Sequence, residues 1–512
     1  MRTPDEARSA QGDSPLIVIA SNRGPYAFKH KKDGSFATKR GEGGLVTALA
    51  ALADDHDVLW VAAALSRDDQ EWAQQQAGKV RQVGNMRLRL LIPERRRFRM
   101  HYNVIANPLL WFIQHELWDA PRSPVITGDT WQAWREGYVA INRQFAETIA
   151  EAVEESRAEN PDRPVIIFLQ DYQLYMTPQF LRERLGNSVQ IQLFVHIPWP
   201  GPDSWRVLPK EMRSALLSSL LQTDRVGFQT QTDAFNFVQT CRLYLDDAHS
   251  RGARDAIEYQ GRRIEARTYP ISIDVAKVEA LTEEAQTRLL KQQLITMRGD
   301  QSLILRIDRI EPSKNILRGL MAFRTLLEAH PEHRGKVQML ALLVPSRMEV
   351  GEYQTYLRAI MSDAGMINAE YSDEFWEPVR IIIGNNYHRA IAALEIYDVL
   401  LVNPIADGMN LVAKEGALVN ERDGVLVLSE LAGAFYELGD HALTISPYDV
   451  YSTAEALHQA LTMAPEERQR RAKALRAQVR GAGVTEWFYN QLEDARRALS
   501  NSSRNSSTPE TP

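Results

Sequence analysis

Short apolar runs alternate along most of the chain with polar-rich segments of helical periodicity. PLIVIAS (15–21), VLWVAAA (58–64), PVIIFLQDY (164–172), IQLFVHIP (191–198) and RVGFQT (225–230) form a first series. SLILRID (302–308), VQMLALLVP (337–345), VRIII (379–383), DVLLVNP (398–404) and GVLVLSE (424–430) form a second. A strand that is apolar at every position, rather than at every second one, is covered on both faces. These runs therefore predict parallel sheets with helices on each side. The pattern starts afresh once, which predicts two doubly wound α/β domains facing each other. The expected division is a disordered N-terminus over 1–14, a first domain over 15–270, a second over 271–480, a helix at 481–499 that packs back on the first domain, and a disordered tail over 500–512. The boundary falls at TYPISID (268–274), an extended proline-containing stretch ahead of a long charged helix at about 278–297.

Composition narrows the function classes. Hydrophobic residues make up 44% and charged residues 25% of 512, ordinary values for a globular chain. With 60 Lys and Arg against 66 Asp and Glu, the net charge of −6 gives no basic field for nucleic acid or an anionic membrane. The basic stretch RLRLLIPERRRFR (87–99) reads as a solvated face. Cys241 is the single cysteine, so neither an intrachain disulfide nor a cysteine metal cluster can form, as suits a reducing cytoplasm. The polar start MRTPDEARSAQGDSP lacks a signal-peptide core, and no apolar run approaches the ~18 residues of a membrane span. A cytoplasmic protein without nucleic-acid or membrane partners is expected.

In open parallel sheets, ligands bind beyond the carboxyl ends of the strands, so the residues there carry the chemistry. The apolar runs end in SNRGPY, QDYQ, HIPWPGPDSW, RIDRIEPSK, PSR and PIADGMN. GEGGL (41–45) opens a helix, and Gly43 and Gly44 would let backbone N–H groups approach an anion; an ordinary tight loop is the other reading. Arg309 and Lys314, five residues apart, suit a diphosphate whose charge grows as it departs; a surface pair beside Glu311 is the alternative, and Arg347 poses the same choice. In DGMNLVAKE (407–415), Gly408 permits a sharp turn, and the amides of Met409, Asn410 and Leu411 can point at an anion. Asp407 would accept sugar hydroxyls and Glu415 a ribose diol; the plainer reading is an Asp cap with a solvent-facing Glu. His196, in FVHIPWP, stands on a stiff turn that suits a sugar-contacting wall, or is a satisfied structural histidine. GxSxG, HExxH, CxxC and EF-hand patterns are missing, and the pairs Asp54–Asp55 and Asp68–Asp69 sit among polar helix ends, so no metal is expected.

Taken together, SNRGPY, GEGGL, YNVIANPLLW, QDYQL, HIPWP, RIEPSK, PSR and DGMNLVAKE resemble the trehalose-6-phosphate synthase family from about residue 15 to 495. That resemblance implies two facing Rossmann-like domains, the glycosyltransferase B-type fold, with an interdomain active-site cleft. It implies transfer of glucose from UDP- or GDP-glucose to glucose 6-phosphate with retained α configuration and no metal or other cofactor; self-association is left open. Acceptor-phosphate residues of the family fall on Arg23, Tyr102, Trp111 and Arg347, and acceptor-sugar contact on Asp171 and Tyr172. Gly43 and Gly44 match the loop over the donor phosphates, His196 and Asp407 the donor-glucose contacts, Arg309 and Lys314 the diphosphate clamp, and Glu415 the ribose contact. The chain departs from the family at three places: HDYH reads QDYQ, with Gln170 and Gln173; HIPFP reads HIPWP; and DYxKG reads EPSKN. HIPWP, LPKEM and LVNERD also resemble the pseudo-glycosyltransferase branch that joins a nucleotide-activated cyclitol to an aminocyclitol phosphate. A glucosylglycerol-phosphate branch and a catalytically silent sugar-phosphate sensor are the remaining alternatives. A sensor would have lost the clamp or the donor acid, and Arg309, Lys314 and Asp407 are all present.

Overall fold

The structure is a computed structural model that describes residues 14–41, 46, 53 and 55–505. Residues 1–13, the GEGGL loop from 42 with Gly43 and Gly44, most of the segment after it, and 506–512 lie outside the described residues. The chain divides into two compact units. One takes the described residues through Pro270 and again from Thr485; the other is Ile271–Val484.

The first unit is built on a nine-stranded sheet. Its spatial order is β10 (Ala256–Tyr259), β11 (Arg262–Thr268), β9 (Arg225–Phe228), β8 (Gln190–Phe194), β7 (Val165–Gln170), β1 (Leu16–Arg23), β4 (Val58–Ala63), β6 (Met86–Leu91) and β5 (Arg81–Val83). All neighbouring pairs are parallel except the two edge pairs, β10–β11 and β5–β6. The fully apolar runs occupy its centre: Ile17 of β1 pairs with Val58 on one side and Ile166 on the other, and every residue of β4 and β7 is buried. The chain runs outward in both directions from β1, which makes its carboxyl end a switch point. A hairpin of β2 (Tyr26–His30) and β3 (Phe36–Arg40), unmarked by continuous apolar sequence, rests on the sheet's flank, where Phe28 stacks on Trp72 at 4.0 Å.

The C-terminal helix, Val484–Asn505, belongs to this unit. Its Phe488 ring lies 4.6 Å from that of Phe168 on β7, and Trp487 meets Phe194 edge-on at 5.0 Å. The helix runs past the expected end at 499, since LSNSSRN holds neither proline nor glycine to stop it.

In the second unit, six parallel strands follow the order β14 (Val379–Ile383), β13 (Val337–Val344), β12 (Ser302–Arg309), β15 (Val399–Val402), β16 (Val425–Ser429) and β17 (Leu443–Ile445). Numbered within the unit this is 3-2-1-4-5-6, the dinucleotide-fold order, with its switch point between β12 and β15. Helix α1 (Ile316–Ala329) and helix α3 (Val450–Thr462) cover one face, burying Phe323, Leu326 and Leu457 over the sheet; helix α2 (Leu411–Val419) follows β15. The single long helix expected near 278–297 is two, Val275–Glu283 and Ala285–Arg298, broken where Glu284 turns extended (ψ 139°). Among the described residues, no helix is long and apolar enough to cross a membrane.

Phe488 is fully buried between the C-terminal helix and the first sheet. Phe488→Ala should therefore cost about 3 kcal/mol through lost burial and a residual cavity. The check is a melting temperature, which should drop by several degrees; an unchanged value would mean that the helix contributes little to the unit.

Candidate active site

The cations that end β12 and β13 gather on one carboxylate. Glu311 is completely buried; its Oε1 lies 3.1 Å from Arg309, 2.9 Å from Arg347 and accepts from the Ser346 hydroxyl at 2.8 Å. Burial pushes its pKa up, but Arg309, then Arg347 and Lys314, outweigh burial and hold it down at about 2. Glu311 is thus an ionised counter-ion between the two arginines, and the pair that Arg309 forms with it is buried on the Glu311 side only. Lys314 pairs with Asp407 across the switch point, and its side chain is 11% exposed. Its backbone is fixed from below: the fully buried Arg306 donates to the Lys314 carbonyl at 3.0 Å and to Asp308 at 2.8 Å. Gly319 makes room for this guanidinium, because a Cβ there would lie 2.2 Å from it. Arg309 remains the accessible cation, with 52% of its side chain exposed.

The segment after β15 differs from the plain helix cap. Asn410 is the N-cap of α2: it takes the left-handed conformation (φ 77°) and accepts from the Ala413 amide at 3.2 Å. The left-handed residue of this turn is Asn410, which tolerates that region better than most side-chain-bearing residues. Gly408 instead packs against Gly433, where a Cβ would fall 1.8 Å from the Gly408 carbonyl oxygen. Asp407 does not cap; its carboxylate accepts from Lys314 and from Asn410 Nδ2 at 3.0 Å. The amides of Met409 and Leu411 stand at the same helix start as Asn410. Glu415 is half-buried and accepts from the Tyr387 hydroxyl at 2.8 Å. Burial raises its pKa to about 7, against the lowering effect of that hydrogen bond. Beside it lies a pocket of about 150 Å³ with Ile307, Leu342, Ile382 and Val412 among its walls.

In the first unit, Arg23, Asp171 and His196 stand at the carboxyl ends of β1, β7 and β8, neighbours in the sheet. Arg23 is exposed. Asp171 adopts φ 73°; its amide donates to the Phe194 carbonyl at 2.8 Å and its Oδ1 accepts from the His196 amide at 3.1 Å, which ties the two strand ends together. His196 Nε2 lies 2.9 Å from Gln170 Oε1, and its ring packs on Phe194 and Trp487. Burial lowers its pKa to about 3, so the imidazole is neutral. Gln170, which stands where the family has a histidine, is thus the hydrogen-bond partner of His196.

Tyr102 and Trp111 lie on a π-helix, Met100–Trp111. At about 4.4 residues per turn their nine-residue spacing closes two turns and puts both on one face; in an α-helix it would place them on opposite faces. Two of the residues that the resemblance places on the acceptor have little exposed surface. Trp111 is 1% exposed with its ring stacked 4.0 Å from His115, and Tyr172 is 2% exposed with its hydroxyl on Asn107 Oδ1 at 2.7 Å. Both are core beneath the strand ends in this structure, because their large rings fill the space between the sheet and the π-helix layer. Sequence reasoning missed Glu311, Tyr387 and Gly433, whose partners Arg347, Glu415 and Gly408 are distant along the chain, and Arg306, whose complete burial no local signal marks.

Two Rossmann-type parallel sheets, the second with a cation pair and an acid at its switch point, define the glycosyltransferase B-type class. The chain belongs to glycosyltransferase family 20, whose model matches residues 15–497. It is 30% identical to an alpha,alpha-trehalose-phosphate synthase [UDP-forming] of Botryotinia fuckeliana over 99% of this chain and 93% of that one. A second such protein, from Aspergillus fumigatus, is 32% identical over 91% and 87%. A trehalose-6-phosphate protein from E. coli bound with UDP-2-fluoro glucose superimposes with a TM-score of 0.80 at 27% identity, covering 94% of this chain and 98% of that one. The Burkholderia xenovorans alpha,alpha-trehalose-phosphate synthase in complex with glucose-6-phosphate gives 0.78 at 26%, covering 94% and 100%.

Replacing Glu311 by Gln leaves Arg309 and Arg347 without their shared anion and should destabilise the protein by about 3 kcal/mol near neutral pH. The folded pKa of Glu311, about 2, lies below the ordinary 4.5, so its contribution is present above 4.5 and lost as pH falls toward 2. Urea unfolding of both forms should show the gap narrowing over that acid range; a gap constant with pH would contradict the counter-ion role.

Proposed function

We propose that this chain transfers glucose from a nucleoside diphosphate glucose, UDP- or GDP-glucose, to glucose 6-phosphate with retention, giving α,α-trehalose 6-phosphate. One observation carries this reading: a set of fixed cations around buried Glu311, with Asp407 alongside, at the switch point of the second sheet. Breaking the glucosyl–phosphate bond moves negative charge onto the diphosphate. Arg309 and Lys314 meet that charge without reorganising, because Glu311 and Arg306 already hold their strand ends in place. The amides at the start of α2 add partial positive charge. With this much positive charge supplied by side chains, the step needs no metal. Asp407 and Asn410 face the glucose, Glu415 takes the ribose diol, and the apolar pocket beside Glu415 receives the base. In the first unit, Arg23 and Tyr102 serve the acceptor phosphate, and Asp171 and neutral His196 line the sugar. Trp111 and Tyr172 support that wall from within. The reaction belongs in the cytoplasm, in keeping with a buried, unpaired Cys241.

The purified protein, given either donor and glucose 6-phosphate, should form a phosphorylated nonreducing disaccharide and free nucleoside diphosphate. Nucleotide release only with glycerol 3-phosphate or an aminocyclitol phosphate would move the chain to another branch. Lys314→Ala should lower turnover by about a hundredfold, roughly 3 kcal/mol of transition-state stabilisation; near-normal turnover would remove Lys314 from the clamp.

Glu415, raised to about 7, accepts from the ribose best when ionised. At saturating acceptor, the donor KM should therefore fall as pH rises through about 7. In Glu415→Gln the donor KM should be high and flat with pH; an unchanged pH profile would place the ribose elsewhere.

A further inference from the structure

Glu415 stands at its pocket with one of its two carboxylate oxygens already engaged. Oε1 accepts from the Tyr387 hydroxyl at 2.8 Å, and among the described residues no other donor bonds the Glu415 side chain. Tyr387 opens the helix Tyr387–Ile396. The N-cap of that helix, Asn386, accepts from the Arg389 amide at 2.9 Å and so fixes the backbone that carries the ring. The ring is half-buried and turns on two side-chain torsions only, so its hydroxyl is delivered to one point. Tyr387 and Glu415 both line the pocket of about 150 Å³ that Ile307, Leu342, Ile382 and Val412 wall. Oε2 is the oxygen left for a ligand.

We propose that Tyr387 is a positioning residue for donor binding: its hydroxyl anchors Oε1 of Glu415 and so presents Oε2 to the ribose diol. The inference rests on the glucosyl-transfer reading above, in which Glu415 takes that diol. A phenol suits the task because it donates one hydrogen bond and brings no charge. A Lys or Arg in its place would neutralise the carboxylate, and an aliphatic residue would leave a buried anion without a donor. Burial first, then the charge of Glu415, raise the pKa of Tyr387 well above the ordinary phenol value, so its proton stays in place. The carboxylate is therefore the member of the pair that titrates near neutrality. Burial lifts it to about 7, and the Tyr387 hydrogen bond opposes that rise.

The charged groups on the elements packed against α2 leave this pair to itself. From the helix Tyr387–Ile396, Arg389 lines the same pocket. From the helix Val275–Glu283, the cap residue Asp274 acts on the Tyr387 hydroxyl rather than on Glu415. From the helix Pro465–Arg480, Arg476 is engaged with the Leu418 and Asn420 carbonyls at the far end of α2. The strands β15 and β16 carry no titratable side chain. Burial and the Tyr387 bond are thus what set the Glu415 titration.

The test measures UDP binding by calorimetry across the neutral pH range, with GDP in parallel, on the full chain and on Tyr387→Phe. That change removes one oxygen from a half-buried ring and keeps its packing. The 2′,3′-dideoxy form of each nucleotide is the probe that lacks the diol. The unaltered protein should bind the ribonucleotide more tightly as pH rises through about 7, and the dideoxy form weakly at every pH. Without its donor, Glu415 should titrate about one pH unit higher, so Tyr387→Phe should bind up to about tenfold more weakly near neutrality. The deficit should shrink once pH passes the raised midpoint, and the dideoxy form should show none. A deficit equal at every pH, or shared by the dideoxy form, would mark a merely structural tyrosine and overturn the proposal. Binding by Tyr387→Phe identical to that of the unaltered chain would overturn it too, while leaving the ribose contact of Glu415 intact. Should the unaltered protein bind neither nucleotide, or bind each no better than its dideoxy form, the ribose assignment itself falls and this inference with it.

Discussion

The second unit's chemistry depends on a single buried anion. An isolated carboxylate in a protein interior costs several kcal/mol in lost hydration, and two guanidinium groups brought to one oxygen repel each other. At Glu311 these penalties offset one another. The carboxylate stays ionised because the arginines surround it, and the arginines sit 3.1 and 2.9 Å from one oxygen because the carboxylate is there. The result is positive charge fixed before a substrate arrives, which electrostatic catalysis requires of groups meeting a charge that develops only in the transition state. Water-solvated cations would have to reorganise at that moment.

Fixing side chains this closely strains the backbone around them. Asn315, Arg347 and Asn410 all have positive φ, at 56°, 48° and 77°, and each stands where the chain leaves a strand of the same sheet. Such conformations persist only where surrounding bonds enforce them. Asn315 is held by side-chain donation to the Asn403 and Pro447 carbonyls, Arg347 by Glu311 and Tyr353, and Asn410 by its cap on Ala413 and its bond to Asp407. Positive φ and clustered charge therefore occupy the same turns, and the polar network that sets one sustains the other.

What the sequence disclosed follows from how far each signal reaches. A strand buried on both faces declares itself in its own residues, so the central strands of both sheets were legible. Edge strands such as β5 and β17 are three residues long and carry no such signal. The break at Glu284 was hidden because both helix halves share one charged pattern. Strand-end residues were legible as chemistry because an apolar run stopping at Arg, Lys or Asp is visible locally. Glu311 was not: beside Arg309 it resembles a surface pair, and its burial is imposed by the end of β13, which delivers Ser346 and Arg347. The hydrogen-bond partner of Glu415 was hidden for the same reason, since Tyr387 stands 28 residues away. Trp111 and Tyr172 show what a family motif leaves open, for it fixes residue type and order but not how deeply a ring is buried.

The titration states bear on where the acceptor's proton goes. Glu311, held near 2, is too weak a base to take it, and neutral His196, near 3, is equally unsuited. Gln170 is the side-chain partner of that ring's Nε2, and an amide cannot change protonation as a histidine at that position could. Asp407 is committed to Lys314, and Glu415, whose pKa of about 7 is the best matched, is paired with Tyr387 beside the apolar pocket. These assignments agree with the route that the family resemblance implies, in which the departing diphosphate takes the proton. Its oxygen gains negative charge as the glucosyl bond lengthens and lies on the face from which a retaining transfer brings the acceptor. On the proposed assignment the cations around Glu311 would stabilise that oxygen without quenching its basicity, and a partly neutralised cluster meets this requirement better than three uncompensated charges would.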